Sequence, residues 1–238
     1  MWLSDRDLKI LDKRQNIIEP FIEDNCEGAT INLTLDPKIK KYVSKDPIVL
    51  GSKMTEDRYE EIDITQSHFF LDPSESVLVK SHEYFRIPDN MAALILERYS
   101  IKLLGLYISP ASFMNPGYEG NMSFLAVNHT NVPIQLTAGI KFCQLAIYEL
   151  STEAEKPYHK QDAKYLGSQE VNISKLHLDK DIQEFLKNRG IENVSEGLAS
   201  ELGAHLMKQI RTAADKIADE VLNKVNGKIS KNKGDKIE

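Results

Sequence analysis

Ala29-Thr30-Ile31-Asn32-Leu33-Thr34-Leu35-Asp36 is the stretch whose reading decides the fold class. Ile31, Leu33 and Leu35 alternate with Asn32, Thr34 and Asp36, the period-two pattern of a strand with one buried face. Apolar segments of strand length recur around it, at 47–50, 61–64, 76–80, 84–87, 92–96, 122–127, 134–136 and 142–149. Turn residues separate them: Asp72-Pro73-Ser74, Pro88-Asp89-Asn90, Asn115-Pro116-Gly117, Asn131-Val132-Pro133 and Ala138-Gly139. Many short strands with regular turns predict a mainly β domain, a sandwich or barrel-like jelly roll.

Helical signals lie at the ends. Ser4 can cap a helix with Asp5 and Asp7 in its first turn and Leu8 and Leu11 on one face. Residues 99–104 lack a strand pattern and predict a helical turn between strands. Past Asp179 the composition shifts. A helix is expected at 181–187, Gly190 breaks it, and a longer one spans 196–226 with Leu198, Leu202, Leu206, Ile210, Ala213, Ile217, Val221 and Val225 on one face. The Lys-rich end, 227–238, predicts disorder. The expected division is a main domain, 1–179, and a helical extension, 180–238.

Composition narrows the function. With 41% hydrophobic and 28% charged residues in 238, the chain can bury a core and stay soluble. No apolar run approaches the roughly 20 residues that span a bilayer, and the acidic start does not resemble a secretory signal, so a cytoplasmic protein without membrane association is expected. A net charge of −6 argues against general binding to nucleic acid. The two cysteines, Cys26 and Cys143, flank no histidine at metal-ligand spacing, and none of the six histidines has ligand or triad spacing, so no zinc site is expected.

Separated stretches, in order, are similar to the motifs of one known family. Leu3 to Leu8, LSDRDL, is similar to the family's opening. Ile18-Glu19-Pro20-Phe21 followed by Gly28-Ala29-Thr30-Ile31-Asn32-Leu33 resembles its next block. Arg98-Tyr99-Ser100-Ile101-Lys102-Leu103-Leu104-Gly105-Leu106 looks like its motif RSSLARLGL, and Asn115-Pro116-Gly117-Tyr118-Glu119-Gly120 like its DPGWSG turn. Ala138-Gly139 with Gln144-Leu145, Asp162-Ala163-Lys164-Tyr165 and a closing stretch from Gln169 to Asp179 complete the set, and together these stretches resemble the dCTP deaminase family, part of the dUTPase-like superfamily. The resemblance implies a distorted jelly roll, a homotrimer, and a nucleoside triphosphate such as dCTP or dUTP bound with Mg²⁺ where subunits meet, under a closing C-terminal segment.

By resemblance Arg98 and Ser100 match phosphate-binding positions, Asn115 stands at an aspartate near the sugar, and Tyr158, Lys164 and Gln169 match later nucleotide contacts. Lys102, in place of an alanine, adds an ammonium to that set. A guanidinium, an ammonium and a hydroxyl near one turn suit a triphosphate.

The chemistry departs from the family, most of all at the position of its base. Deamination needs a base to activate water, and the H-x-E and P-C-x-x-C ligands of zinc deaminases are missing. The family instead uses a glutamate five residues after the glycine ending the DPGWSG turn. Leu125 stands there, and the run from Gly120 to Asn128 holds no carboxylate in any register. Tyr99 and Leu103 replace a motif serine and arginine. Glu97 and Glu119 are the nearby acids left to take over. Two classes stay open: a dCTP deaminase with altered catalysis, or an inactive nucleotide-binding or assembly protein on the trimeric scaffold.

Overall fold

The computed structural model describes residues 1–66, 68–109, 112–188 and 208–218. The chain divides into two compact units, Met1–Lys45 with Lys53–Leu178, and Asp46–Ser52 with Asp179–Glu238.

The first unit opens with α1 (Asp5–Gln15). Ser4 and Asp7 exchange the reciprocal bonds of a capping box, Asn16 ends the helix in the left-handed region, and Leu8 and Leu11 are buried. The strands follow: β1 (Ile18–Glu19), β2 (Cys26–Glu27), β3 (Thr30–Thr34), β4 (Lys38–Tyr42), β5 (Tyr59–Asp63), β6 (Phe69–Leu71), β7 (Ser76–Arg86) and β8 (Met91–Glu97). After a short helix, α2 (Tyr99–Leu103), come β9 (Leu106–Ile108), β10 (Ser112–Met114), β11 (Glu119–Asn128), β12 (Ile134–Leu136) and β13 (Lys141–Glu149).

Two antiparallel sheets make the jelly roll. One has the order β5-β4-β7-β11-β9 with β1 also on β7, and the other β10-β8-β13-β3-β2. A separate ladder joins β12 to β6. Leu33, Ile39, Val79, Phe85, Ile95 and Leu145 lie in one core between the sheets, and Phe124 of β11 meets Phe142 of β13 edge to face. The mainly β expectation, with helices at the two ends, is met.

Particular elements differ from the sequence reading. The segments 76–80 and 84–87 belong to one strand, β7. The pairing with β11 runs Tyr84 to Asn121 and Lys80 to Ser123, so Ser81, His82 and Glu83 face Met122 alone. The Asn121 amide fills that gap by donating to the carbonyls of Ser81, His82 and Glu83 at 3.2, 3.3 and 2.9 Å. Residues 47–50 form no strand. Ile48 and Leu50 are exposed, and Ser52 bonds back to Val49 through both its N–H and its hydroxyl.

In the second unit α3 (Lys180–Asn188) forms as the pattern predicts. Gly51, at φ +90°, lies where a Cβ would come within 3.0 Å of Leu186 and 3.1 Å of Ile182. Of the longer tail helix only 208–218 is described, and it is helical, with Ile210 and Ile217 exposed. The rest of 196–226 and the expected disordered end lie outside the described residues. Among the described residues no helix is long and apolar enough to cross a membrane.

Candidate nucleotide site

The Asn115-Pro116-Gly117 turn sits at the mouth of the main cleft. Gly117 has φ +72°, and a Cβ there would lie 2.6 Å from His159 Nδ1 and 2.8 Å from Asp89 Oδ1, so the turn demands glycine. It is held from both sides: Gly117 N–H donates to Ile87 O at 3.0 Å, and Tyr158 N–H donates to Pro116 O at 2.6 Å. This second bond brings Tyr158 against the turn, with its ring tilted on Tyr118 at 5.4 Å.

Beyond the turn, β11 forms the floor and the segment 163–175 a wall. That segment adds to β11 as a short parallel partner: Gly167 N–H donates to Glu119 O and Asn121 N–H to Ser168 O, both at 2.8 Å. Further along, Asn172 N–H donates to the Ser123 hydroxyl at 2.9 Å. The Tyr165 hydroxyl accepts from Lys175 N–H at 2.8 Å.

The cleft so formed has a volume of about 410 Å³, within the span of small-ligand sites. Asn115, Leu125 and Tyr158, all singled out in the sequence, line it. Ser109, Ser112, Ser123, Tyr165 and Asn172 line it too. Sequence reasoning missed these, although Ser123 and Tyr165 lie within or beside matched motifs. Among the described residues that line it there is no carboxylate, imidazole, ammonium or guanidinium. Burial pushes the Tyr118 and Tyr158 hydroxyls above the ordinary phenol range, and Tyr158 accepts from Tyr165 N–H at 3.4 Å. Tyr118 donates to Asn121 O at 2.9 Å.

The other sequence-selected residues do not line this cleft within one chain. Arg98 precedes α2 and donates to Lys141 O at 3.2 Å. Ser100 is exposed within α2. Lys102 pairs with Glu97 at 3.0 Å. The Lys164 ammonium lies 6.0 Å from the centre of the Tyr165 ring, and Gln169 offers its carbonyl to the Lys80 ammonium at 2.7 Å.

The two spare acids are engaged elsewhere. Burial pushes the Glu97 carboxyl up, but its own backbone N–H and Lys102 outweigh that and hold it below the usual range. Glu119 accepts from the Tyr84 hydroxyl at 3.0 Å and lies 3.8 Å from Arg86. Leu125, 40% exposed, presents an apolar side chain to the cleft instead.

A family model described as dCTP deaminase-like matches residues 2–150. Among curated proteins, the dUMP-forming dCTP deaminase of Nanoarchaeum equitans is 29% identical over 197 residues, covering 75% of this chain and 99% of the relative. The dUMP-forming dCTP deaminase of Sulfurihydrogenibium sp. is 33% identical over 165 residues, covering 69% of this chain and 90% of the relative. A solved 2′-deoxycytidine 5′-triphosphate deaminase from Agrobacterium tumefaciens superposes with a TM-score of 0.50 at 19% identity. That match covers 61% of this chain and 48% of the other, about half its length, and bears on the fold alone. Motif order, jelly-roll topology and the family match agree: this chain belongs to the dCTP deaminase-like family.

Proposed function

We propose that this protein binds a pyrimidine deoxynucleoside triphosphate in the 410 Å³ cleft and does not deaminate it. One observation carries the reading: the cleft has the hydroxyls, amides and aromatic rings to hold a base and sugar, and among the described lining residues of its own chain no group that can take a proton from water. Leucine at position 125 has neither a lone pair nor a titrating proton. Binding and chemistry depend on different residues, so binding outlives catalysis.

The phosphates need cations, and Arg98, Ser100 and Lys102 lie outside the cleft of their own chain. Their part in the site therefore requires a second copy whose α2 segment meets this cleft, as in a homotrimer. An apolar sheet face supports such an assembly. Phe113 pairs with Leu94, Leu94 and Leu96 share one side of β8, and Tyr148 contacts both Trp2 and Phe113. Trp2, Leu96 and Phe113 are about half exposed in the single chain, a patch that soluble proteins normally cover.

Among the described residues no group of three or more His, Cys, Asp and Glu is placed to hold a metal. The Mg²⁺ that the family resemblance implies would accompany the triphosphate as its counter-ion, neutralising its charge. Calorimetry with dCTP, dUTP and dTTP in Mg²⁺ tests the reading. Saturable binding of at least one is expected, and undetectable affinity for all three at millimolar concentration rejects it.

A further inference from the structure

Lys80 is a buried cation that the nucleotide reading does not use. It lies on β7 beneath the cleft wall, with its side chain 10% exposed and that of Asp36 8% exposed. Its ammonium pairs with Asp36 Oδ2 at 3.3 Å and donates to Gln169 O at 2.7 Å. Asp36 is itself fixed: its N–H donates to Lys80 O at 3.0 Å, and its Oδ1 accepts from Lys38 N–H at 3.0 Å. His82 Nδ1 lies 3.3 Å from the same Oδ2 that faces Lys80. On the outer side Lys38 pairs with Glu170 at 3.4 Å.

Gln169 follows Ser168, whose carbonyl pairs with Asn121, and precedes Asn172, which bonds Ser123 inside the cleft. The Lys80 bond therefore grips the wall segment midway between its two attachments to β11. A charge-assisted bond from a buried ammonium is stronger and more directional than the exposed pairs around it. Tyr165, Asn172 and Ser174 of this wall line the cleft.

We propose that Lys80 is a positioning residue for the cleft: its ammonium, held by Asp36, anchors residues 165–174 as a standing wall before any ligand arrives. The effect on affinity rests on the cleft being a nucleotide site; the effect on the wall does not. Fixing the wall in advance removes an ordering cost from binding.

The test compares the wild type with Lys80→Met and with the double variant Lys80→Met/Asp36→Asn. The single change leaves a buried acid short of its cation. The double variant is neutral there and keeps the acceptor for Lys38 N–H, so it preserves the fold. Amide hydrogen exchange is read in the ligand-free protein at Gly167 and Asn172, with Leu145 of β13 as an internal reference. In the double variant, exchange at Gly167 and Asn172 should rise about tenfold or more while Leu145 is unmoved, and the affinity for dCTP or dTTP should fall about tenfold.

Unchanged exchange at both wall amides overturns the inference, and so does faster exchange with unaltered affinity. A general rise that includes Leu145 also overturns it, because that marks a merely structural pair. Should the wild type bind no nucleotide, that result falls on the reading of the ligand, and the exchange rates decide for or against Lys80.

Discussion

Glu97 and Lys102 form an ion pair at 3.0 Å, and the pair flanks Arg98 without involving it. The acid is the more buried partner, its side chain 10% exposed against 48% for the lysine. Each therefore occupies the other's charge. Lys102 reaches a phosphate only by leaving Glu97, whereas the Arg98 guanidinium is tied by a single neutral carbonyl. Arg98→Ala should cost roughly 1.5–3 kcal/mol of nucleotide binding, or about one to two decades in affinity. Lys102→Met should cost less than about threefold, the range of a half-exposed pair. Calorimetry on the two variants checks the order, and equal losses would place Lys102 on the phosphates.

Stability should respond to Glu83 in a defined sense. Burial pushes its carboxyl above the usual range, and bonds from the Thr34 hydroxyl and amide pull back only in part. A carboxyl whose folded pKa is raised binds its proton more tightly in the folded state than in the unfolded one. Its stabilising contribution is complete below the unfolded value near 4.5 and is lost as pH rises through the folded value. The stability of the wild type relative to Glu83→Gln should thus be greatest in acid and decline upward from about pH 4.5. Urea unfolding of both proteins across that range tests it; a difference that grows with pH would contradict the assignment.

Asn121 should matter to the fold more than its size suggests. Its amide serves three carbonyls that the irregular β7–β11 pairing leaves without ladder partners. Asn121→Ala leaves the buried Ser81 carbonyl without this donor, while Glu83 O keeps the Ser81 hydroxyl at 3.2 Å, at a cost of about 1–3 kcal/mol. A shift of the urea midpoint with an unchanged slope would show that cost, and a neutral substitution would mean that water replaces the amide.

Most of the fold was legible because jelly-roll strands advertise themselves by alternation and turns. The pattern through Leu33 is the example. Elements two or three residues long, such as β1, β2 and β10, are too short to hold a period. In β4, Lys38, Lys40 and Lys41 hide a strand whose Ile39 is fully buried, and Lys40 is tolerated there because its ammonium meets Glu56 at 2.7 Å. The apolar 47–50 misled because its residues serve the second unit.

The candidate site was legible only where motif and cleft coincide, at Asn115, Leu125 and Tyr158. The resemblance makes Arg98, Ser100 and Lys102 phosphate contacts of a site where subunits meet, and within one chain they lie apart from the cleft. No local pattern pointed to the grip of Lys80 on Gln169, which joins residues 89 positions apart.

The apolar sheet face is the surface proposed for assembly. Leu96→Glu puts a charge in the middle of that face in every copy, and like charges brought together without partners oppose association. Native mass spectrometry should find a trimer for the wild type and monomers for Leu96→Glu, both folded by circular dichroism. A monomeric wild type would remove the route by which Arg98 and Ser100 reach a cleft.

The central claim is that this family member keeps the binding cleft and has lost the base. Incubating the purified protein with dCTP and Mg²⁺ while following ammonia, dUTP and dUMP tests it most directly. With dCTP bound in parallel calorimetry, no product should form above the protein-free control. Ammonia released with dUTP or dUMP at a rate typical of enzymes, about 1 s⁻¹ or more, would contradict the claim and require a proton acceptor other than residue 125.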